Sequence, residues 1–197
     1  MARCLLLMRH GEVEGGSKGR FLGATDLPLS KEGRKQARAV AAQIEQMKPG
    51  VCYCSPLKRT LETARIVAPH IETKIEPDLC EVDFGEWEGK TFEEISKSSP
   101  EHVKRWTEFD GFAFPGGEAI GGFVDRIQRA VRKMAAEQSE VVLAVTHGGV
   151  IRMAMCQLLG LSPKNYLIFN VGSASLTTID LFGDRGVLSG LYNLPQR

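Results

Sequence analysis

Short apolar runs of strand length alternate with longer amphipathic stretches along this chain, and this alternation restricts the folds open to it. Three pairs of an apolar run and the amphipathic stretch after it are clear: 4–8 with 31–47, 51–54 with 56–68, and 141–145 with 150–159. Such an order is typical of α/β folds, in which helices cross over between parallel strands. The sequence therefore predicts a three-layer sandwich, with a mostly parallel central sheet flanked by helices.

Two serines mark the expected starts of the first two helices. Ser30 is a good N-cap for the first helix. Ser55 is expected to cap the second, with Pro56 at the first helical position and Pro69 just beyond its end. Each helix should follow directly on a buried strand or its loop.

No strand pattern is visible between residues 91 and 138. The segments "TFEEISKS", "PEHVKRWTEF" and "FVDRIQRAVRKMAAEQ" predict helices, separated by the Gly-rich, aromatic loop "DGFAFPGGEAIGG". We expect a helical insertion over the functional site. The C-terminal part alternates polar and apolar residues on both sides of residues 183–186, which predicts an antiparallel hairpin at a sheet edge. With no linker or repeat, residues 1–197 are expected to form one domain.

Composition narrows the classes of function. Lys and Arg number 25 against 24 Asp and Glu, so the net charge of +1 provides no global field for nucleic acid or an anionic membrane. No apolar run approaches the length of a membrane span or signal-peptide core, and a cytoplasmic protein is expected. Five cysteines without CxxC spacing indicate reduced thiols rather than disulfides or a zinc site.

Histidines follow two of the predicted strands. The run "CLLLMRHG" ends in His10 and Gly11, and "VVLAVTHGG" ends in His147 and Gly148. Because the carboxyl ends of parallel strands share one edge of a sheet, we expect both histidines at one mouth. A glycine after each histidine would let the backbone approach a ligand there.

Arginines accompany the histidines at the same edge. Arg9 directly precedes His10, and Arg59 lies in the first turns of the helix that follows the strand at 51–54. Two guanidinium groups beside a helix N-terminus suit a phosphoryl group. No Walker-type loop or metal-ligating carboxylate cluster is present, which leaves a histidine imidazole as the nucleophile.

A leaving alkoxide also needs a proton donor. The loop "LCEVDFGEWEG" offers four carboxyl groups, and spacing alone does not choose among them: Glu81, Asp83, Glu86 and Glu88. The aromatic residues near this loop and in the insertion either line a substrate pocket or pack in the core: Trp87, Trp106, Phe112 and Phe114. His70 and His102 are expected on the surface, and Glu12 in a structural role.

Several blocks of the sequence resemble the histidine phosphatase superfamily, in the branch of phosphoglycerate mutases, fructose-2,6-bisphosphatases and α-ribazole phosphatases. The blocks, in order, are "RHGE" (9–12), "GRFLGATDLPLSKEGRKQA" (19–37), "SPLKRTLETA" (55–64), "EVDFGEWEG" (81–89), "PGGEA" (115–119) and "VTHGGVIR" (145–152). The resemblance covers nearly the whole chain.

This resemblance implies roles for individual residues. His10 would be the nucleophile that becomes a phosphohistidine, and Glu81 would be the proton donor and later the base for water. Arg9, Arg59 and His147 would hold the phosphoryl oxygens, and no metal or other cofactor would be needed. The residues expected to bind phosphate or substrate are Arg9, Gly16, Ser17, Leu22, Gly23, Arg59, His147 and, through its backbone N–H, Gly148.

Two positions depart from the family pattern. Gly16 stands where the family often has Asn, with Ser17 next to it, so that phosphate contact is either supplied by Ser17 or lost. Ala119 stands where a serine is common. The resemblance predicts a monomeric or homodimeric hydrolase of a small phosphorylated metabolite, with α-ribazole 5′-phosphate or a similar small monoester as the expected substrate. The alternatives are a phosphoglycerate mutase, a non-catalytic phosphate-binding module and, less favoured, a metal-dependent hydrolase.

Overall fold

The central sheet accounts for the apolar runs. The computed structural model describes residues 1–16, 19–109, 111–183 and 185–195. The strands in these ranges are β1 (Cys4–Arg9), β2 (Val51–Cys54), β3 (Thr73–Ile75), β4 (Val141–Thr146), β5 (Leu176–Phe182) and β6 (Arg185–Tyr192). They form one sheet in the order β3-β2-β4-β1-β5-β6. The first four strands in that order are parallel, and β5 and β6 are antiparallel, which confirms the mostly parallel sheet.

Helices lie on both faces of this sheet. Their bounds are α1 (Lys31–Gln46), α2 (Lys58–Val67), α3 (Phe92–Ser98), α4 (Pro100–Glu108), α5 (Ile120–Ala135) and α6 (Gly148–Leu158). Short 3-10 helices span Pro77–Leu79, Gly85–Trp87 and Pro163–Ile168. Within the described ranges, no helix is long and apolar enough to cross a membrane.

Strand β1 shows how the layers are built. Its side chains alternate between the two faces of the sheet, as strand geometry requires. Leu6 and Met8 pack in one hydrophobic cluster with residues of α1 and α2, whereas Leu5 and Leu7 pack in another with residues of α5 and α6. The three-layer sandwich is therefore confirmed.

Of the two predicted helix starts, that of α1 is confirmed and that of α2 is wrong. Ser30 caps α1, because its hydroxyl accepts a hydrogen bond from the Gly33 N–H at 2.9 Å. The predicted start of α2 is wrong: the helix begins at Lys58, and Leu57 is its N-cap without a side-chain bond. The Ser55 hydroxyl instead lies 2.8 Å from a ring nitrogen of His147, so it is engaged by the neighbouring strand end rather than by its own helix.

The helical insertion divides into two parts. Helices α3 and α4 lie near the candidate site, where Trp106 of α4 lines a cavity. Helix α5 instead belongs to an outer layer of the sandwich, since Phe123 and Ile127 pack in the cluster that contains Leu5 of β1. Only the first part of segment 91–138 is therefore placed to cover the site.

The C-terminal hairpin is confirmed by β5 and β6, with β6 at the sheet edge. Position 184 of its predicted turn lies outside the described residues. All five cysteines are free; Cys52, Cys54 and Cys156 are buried, and Cys4 and Cys80 are partly buried.

Candidate active site

His10 follows the last residue of β1 and is 8% exposed. Its Nδ1 lies 2.7 Å from the carbonyl oxygen of Gly11. Because a carbonyl oxygen can only accept, Nδ1 carries the proton and Nε2 keeps a free lone pair. Burial, and then the charges of Arg9 and Arg59, lower the pKa of His10 well below 6.5. The ring is therefore a neutral imidazole at neutral pH, with Nε2 as its basic nitrogen.

His147 follows β4 and is fully buried directly beside His10. The two ring centroids are 5.2 Å apart, as expected for residues at the ends of adjacent parallel strands. Its Nδ1 lies 3.2 Å from Nε of Arg59, and its Nε2 lies 2.8 Å from Oγ of Ser55. A guanidinium can only donate, so Nε2 carries the proton in the neutral ring. His147 does not itself line the cavity.

Arg59, the second residue of α2, is almost completely buried, at 1% exposure. Besides the bond to His147, its guanidinium donates to the carbonyl oxygens of Thr25 at 2.7 Å and Gly23 at 2.8 Å. These bonds hold the guanidinium plane and also the loop after β1. Burial lowers the pKa of Arg59. Within the described part of the chain, its other N–H groups make no hydrogen bond, and Arg59 lines the cavity.

Arg9 is the second cation beside His10. One terminal nitrogen donates to the Val171 carbonyl oxygen at 2.7 Å, whereas its buried Nε has no hydrogen-bond partner among the residues that the structure describes. Burial lowers the pKa of Arg9 to about 10; the Glu81 carboxylate opposes that shift, and the charges of Arg152 and Arg59 add to it. Arg9 remains charged at neutral pH. A buried guanidinium with an unused donor is what an anion-binding site provides.

Glu81 is the one carboxyl group of the 81–89 loop that lines the cavity, among the described residues. Its two oxygens accept from the N–H groups of Val82 and Gly149, each at 3.1 Å. The other three loop carboxylates lie elsewhere; that of Glu88, for example, accepts from the Gly23 N–H at 2.9 Å. Of the four carboxyl groups that spacing left open, packing therefore places that of Glu81 in the cavity.

Arg126 of α5 fixes the backbone on which Glu81 lies. It donates to the carbonyl oxygens of Cys80 at 2.6 Å and Glu81 at 3.1 Å. Its other edge forms an ion pair with Glu118 at 2.7 Å. Helix α5, though part of an outer layer, therefore positions the proposed acid.

One cavity of about 360 Å³ joins these groups. One end is formed by Arg9, His10, Arg59, Glu81 and the N-terminus of α6 at Gly148 and Gly149. The other walls are aromatic or cationic and include Phe21, Phe84, Trp106, Tyr166, Arg20 and Arg152. The arrangement can hold a phosphoryl group at a neutral imidazole, with a carboxyl group within the same cavity.

The residues expected to bind substrate divide into three groups. Leu22 and Gly148 line the cavity. Gly16 and Gly23 do not line it, although the Gly23 carbonyl holds Arg59. Ser17 lies outside the described residues. Glu12 does line the cavity, and its carboxylate accepts from the Ser30 hydroxyl at 2.9 Å.

The expectation for Gly11 is wrong. A Cβ added there would lie 2.4 Å from the carbonyl oxygen of Gly33. The missing side chain therefore makes room for α1 to pack against the loop after β1, and it does not make room for a ligand. At the other strand end, the critical glycine is Gly149. A Cβ added at that position would lie 2.5 Å from a carboxylate oxygen of Glu81.

Several cavity residues were not predicted from the sequence: Arg20, Phe21, Phe84, Arg152 and Tyr166. For Arg152 a signal existed, because it lies four residues after Gly148 on a helix, and that spacing returns to the same face. Of the four aromatic residues left open, Trp106 lines the cavity and Trp87, Phe112 and Phe114 pack in the core. His70 and His102 are exposed.

Within the described ranges, no group of three or more His, Cys, Asp or Glu side chains has the arrangement of a metal site.

Comparison with known proteins decides the family. The sequence matches the family described as histidine phosphatase superfamily (branch 1) over residues 5–194. The chain belongs to this superfamily. It is therefore a histidine phosphatase, and it acts on small phosphorylated compounds.

Relatives of this histidine phosphatase carry several names. It is 32% identical to phosphoserine phosphatase 1 of Hydrogenobacter thermophilus, over 93% of this chain and 89% of that protein. Its fold is similar to a phosphoserine phosphatase of Entamoeba histolytica crystallised with phosphoserine, with a TM-score of 0.85, 31% identity and coverage of 95% of each chain. It is also similar to the α-ribazole phosphatase of Shigella flexneri, with a TM-score of 0.83, 27% identity and coverage of 95% of each chain.

Proposed function

We propose that this histidine phosphatase hydrolyses small phosphomonoesters through a phosphohistidine formed at Nε2 of His10. One observation carries the proposal: the Gly11 carbonyl oxygen accepts a hydrogen bond from Nδ1–H of His10, at 2.7 Å, and His10 lines a cavity that Arg9 and Arg59 also line. The nucleophilic lone pair and the charges that would hold its target are therefore built into one site.

In the first step, the phosphoryl group lies between Arg9 and Arg59, whose unused N–H groups hold its oxygens. The N–H of Gly148, at the start of α6, supplies a further donor. Nε2–H of His147 can add one more, when a phosphoryl oxygen replaces its present partner, Ser55. The Nε2–P bond of His10 forms as the P–O bond to the leaving group breaks, and Glu81 gives its proton to the departing oxygen.

In the second step, water attacks the phosphohistidine. Glu81, now a carboxylate, takes a proton from this water, the Nε2–P bond breaks, and inorganic phosphate leaves. The imidazole returns to its neutral form with Nδ1–H still bonded to Gly11. Both steps use the same groups, which favours a hydrolase over a module that only binds phosphate.

The leaving group is a separate question. The aromatic wall of Phe21, Phe84 and Trp106 offers a surface for a ring, which keeps α-ribazole 5′-phosphate as one candidate. Proteins named phosphoserine phosphatase are similar over a comparable share of the chain, which supports an amino-acid phosphate as the other. Mutase activity stays the less favoured alternative, and no 2-phosphoglycerate should form from 3-phosphoglycerate with a catalytic amount of the bisphosphate.

A steady-state assay with p-nitrophenyl phosphate tests the proposed function. His10→Ala should abolish turnover, because the variant has no atom to accept the phosphoryl group, while its circular dichroism stays that of the wild type. His102→Ala is the matched control, since this histidine is exposed on α4, and it should keep full activity. Turnover by His10→Ala above the uncatalysed rate would contradict the proposal.

A further inference from the structure

Arg20 and Arg152 line the cavity and have no part in the proposed chemistry, but Arg20 already forms an ion pair with Glu94 at 3.1 Å, which leaves Arg152 to consider. It lies on α6, four residues after Gly148, and is half-buried. Its Nε donates to the carbonyl oxygen of Phe169 at 2.9 Å, which fixes the guanidinium plane. In the described part of the chain, its terminal nitrogens have no hydrogen-bond acceptor and no carboxylate within ion-pair distance. A fixed fork with free N–H groups matches the two oxygens of a carboxylate.

Tyr166 presents a second unused donor to the same cavity. The indole N–H of Trp106 donates to its hydroxyl oxygen at 2.6 Å. Because an indole nitrogen can only donate, the Tyr166 hydroxyl accepts here and retains its own proton for another acceptor. Burial raises the pKa of this hydroxyl, so it stays a neutral donor. Tyr166 is also linked to Arg152 through the backbone. It lies in the 3-10 helix Pro163–Ile168, and Phe169, whose carbonyl oxygen accepts from Arg152, directly follows that helix.

The position of Arg152 limits the size of what it can recognise. A Cβ built at Gly148 would lie 3.4 Å from both the Arg152 and the Arg9 guanidinium groups, so both cations lie close to this residue. A group held by Arg152 is therefore carried close to the phosphoryl group, on a small molecule. A second phosphoryl group is disfavoured, because the carboxylate of Glu12 also lines the cavity and would repel its larger charge.

We propose that Arg152 and Tyr166 form a subsite for a carboxylate on the leaving group, so that the substrates are small phosphomonoesters bearing a carboxylate near the ester oxygen. This inference rests on the proposed function and adds the class of substrate to it. The Arg152 fork binds the two carboxylate oxygens, and the Tyr166 hydroxyl donates to one of them.

O-Phosphoserine and O-phosphoethanolamine test the subsite, because the two esters differ only by the carboxylate. Wild-type enzyme should prefer phosphoserine in kcat/KM. Arg152→Met should lower the ratio of the two kcat/KM values by about 10- to 100-fold, mostly through KM, since charge-assisted hydrogen bonds are lost. Tyr166→Phe keeps the ring and should lower the same ratio by about 3- to 10-fold.

The exposed Arg105 on α4 provides the matched control, and Arg105→Met should leave the ratio unchanged. Equal losses on both esters in Arg152→Met would mean that Arg152 holds the transferred phosphoryl group, and would overturn the proposal. So would a wild-type enzyme that shows no preference for phosphoserine, or one that prefers α-ribazole 5′-phosphate. If Arg152→Met does not fold, the Tyr166→Phe ratio decides. If the wild-type enzyme did not hydrolyse p-nitrophenyl phosphate at all, that result would instead contradict the proposed function itself.

Discussion

Nε of Arg59 lies 3.2 Å from Nδ1 of His147, and this pair joins the start of α2 to the end of β4. The bond fixes the tautomer of His147, and the two other hydrogen bonds of Arg59 fix the loop at Gly23 and Thr25. The Arg59 side chain thus fixes the N–H donor of His147 beside the proposed nucleophile, and it also positions part of the cavity wall.

Replacing Arg59 should therefore remove three positioning hydrogen bonds as well as one positive charge. In Arg59→Lys the ammonium group keeps the charge but cannot reach His147, Gly23 and Thr25 together, because it lacks the planar fork. We expect kcat/KM for p-nitrophenyl phosphate to fall by about 100- to 1000-fold, the loss typical of removing one preorganised donor. Lys58→Met, at the exposed neighbouring position, should stay within about twofold of wild type, and equal losses in the two variants would argue against the fork.

Glu81→Gln tests the proposed acid through the leaving group. The amide keeps the size of the side chain but has no proton to give to a departing alkoxide. We expect turnover of phosphoserine to fall by about 100-fold or more, and that of p-nitrophenyl phosphate far less, because nitrophenolate leaves without protonation. The measurement is kcat for both substrates with each enzyme. Similar losses on both would show that Glu81 is not the acid.

Gly149→Ala tests the position of the same carboxylate. The new Cβ would lie 2.5 Å from Oε1 of Glu81, the oxygen that accepts from the Val82 N–H, so the carboxyl group must move. We expect a loss of about 10- to 100-fold in kcat for phosphoserine, the cost of misplacing a catalytic group by about 1 Å. Gly122→Ala in α5 is the control, because a Cβ there meets open space. Full activity of Gly149→Ala would contradict the assigned geometry.

The buried histidines should make stability depend on pH. The pKa values of His10 and His147 are both lowered well below 6.5 in the folded protein, first by burial. Below pH 6.5 the unfolded chain binds more protons at these rings than the folded chain does, so the free energy of unfolding falls as the pH falls.

Urea unfolding at pH 7.5 and pH 5.5 measures this effect. His10→Ala should show a smaller difference between the two pH values than the wild type, because one of the two buried rings is absent. His102→Ala, which removes an exposed ring, should keep the wild-type difference. An unchanged pH dependence in His10→Ala would show that this ring is not held neutral by the fold.

The sequence was sufficient for the sheet and for the residues at its strand ends. Alternating apolar runs predict the parallel strands, and strands such as β1 and β4 necessarily deliver His10 and His147 to one edge. Predictions from local sequence were wrong where a residue distant in the chain contacts the residue in question. Ser55 does not cap α2, because a residue 92 positions away engages its hydroxyl, and Gly11 is small for the sake of α1.

The walls of the cavity could not be derived in the same way. Trp106 and Tyr166 meet only because α4 and the 3-10 helix Pro163–Ile168 pack together, and no periodicity encodes that contact. Glu81 was one of four carboxyl groups in its loop. Its selection depends on Arg126 of α5, which lies 45 residues further along the chain.

Chemical quenching during turnover shows whether Nε2 of His10 carries the phosphoryl group. Enzyme mixed with phosphoserine is quenched in alkali during turnover, digested at high pH and analysed by mass spectrometry and ³¹P NMR. We predict acid-labile, base-stable phosphate on the peptide that contains His10, as the Nε2 isomer, because Nδ1 is bonded to the Gly11 carbonyl. Phosphate on another residue, the Nδ1 isomer, or turnover with no phosphoenzyme in a rapid-quench burst would contradict the account.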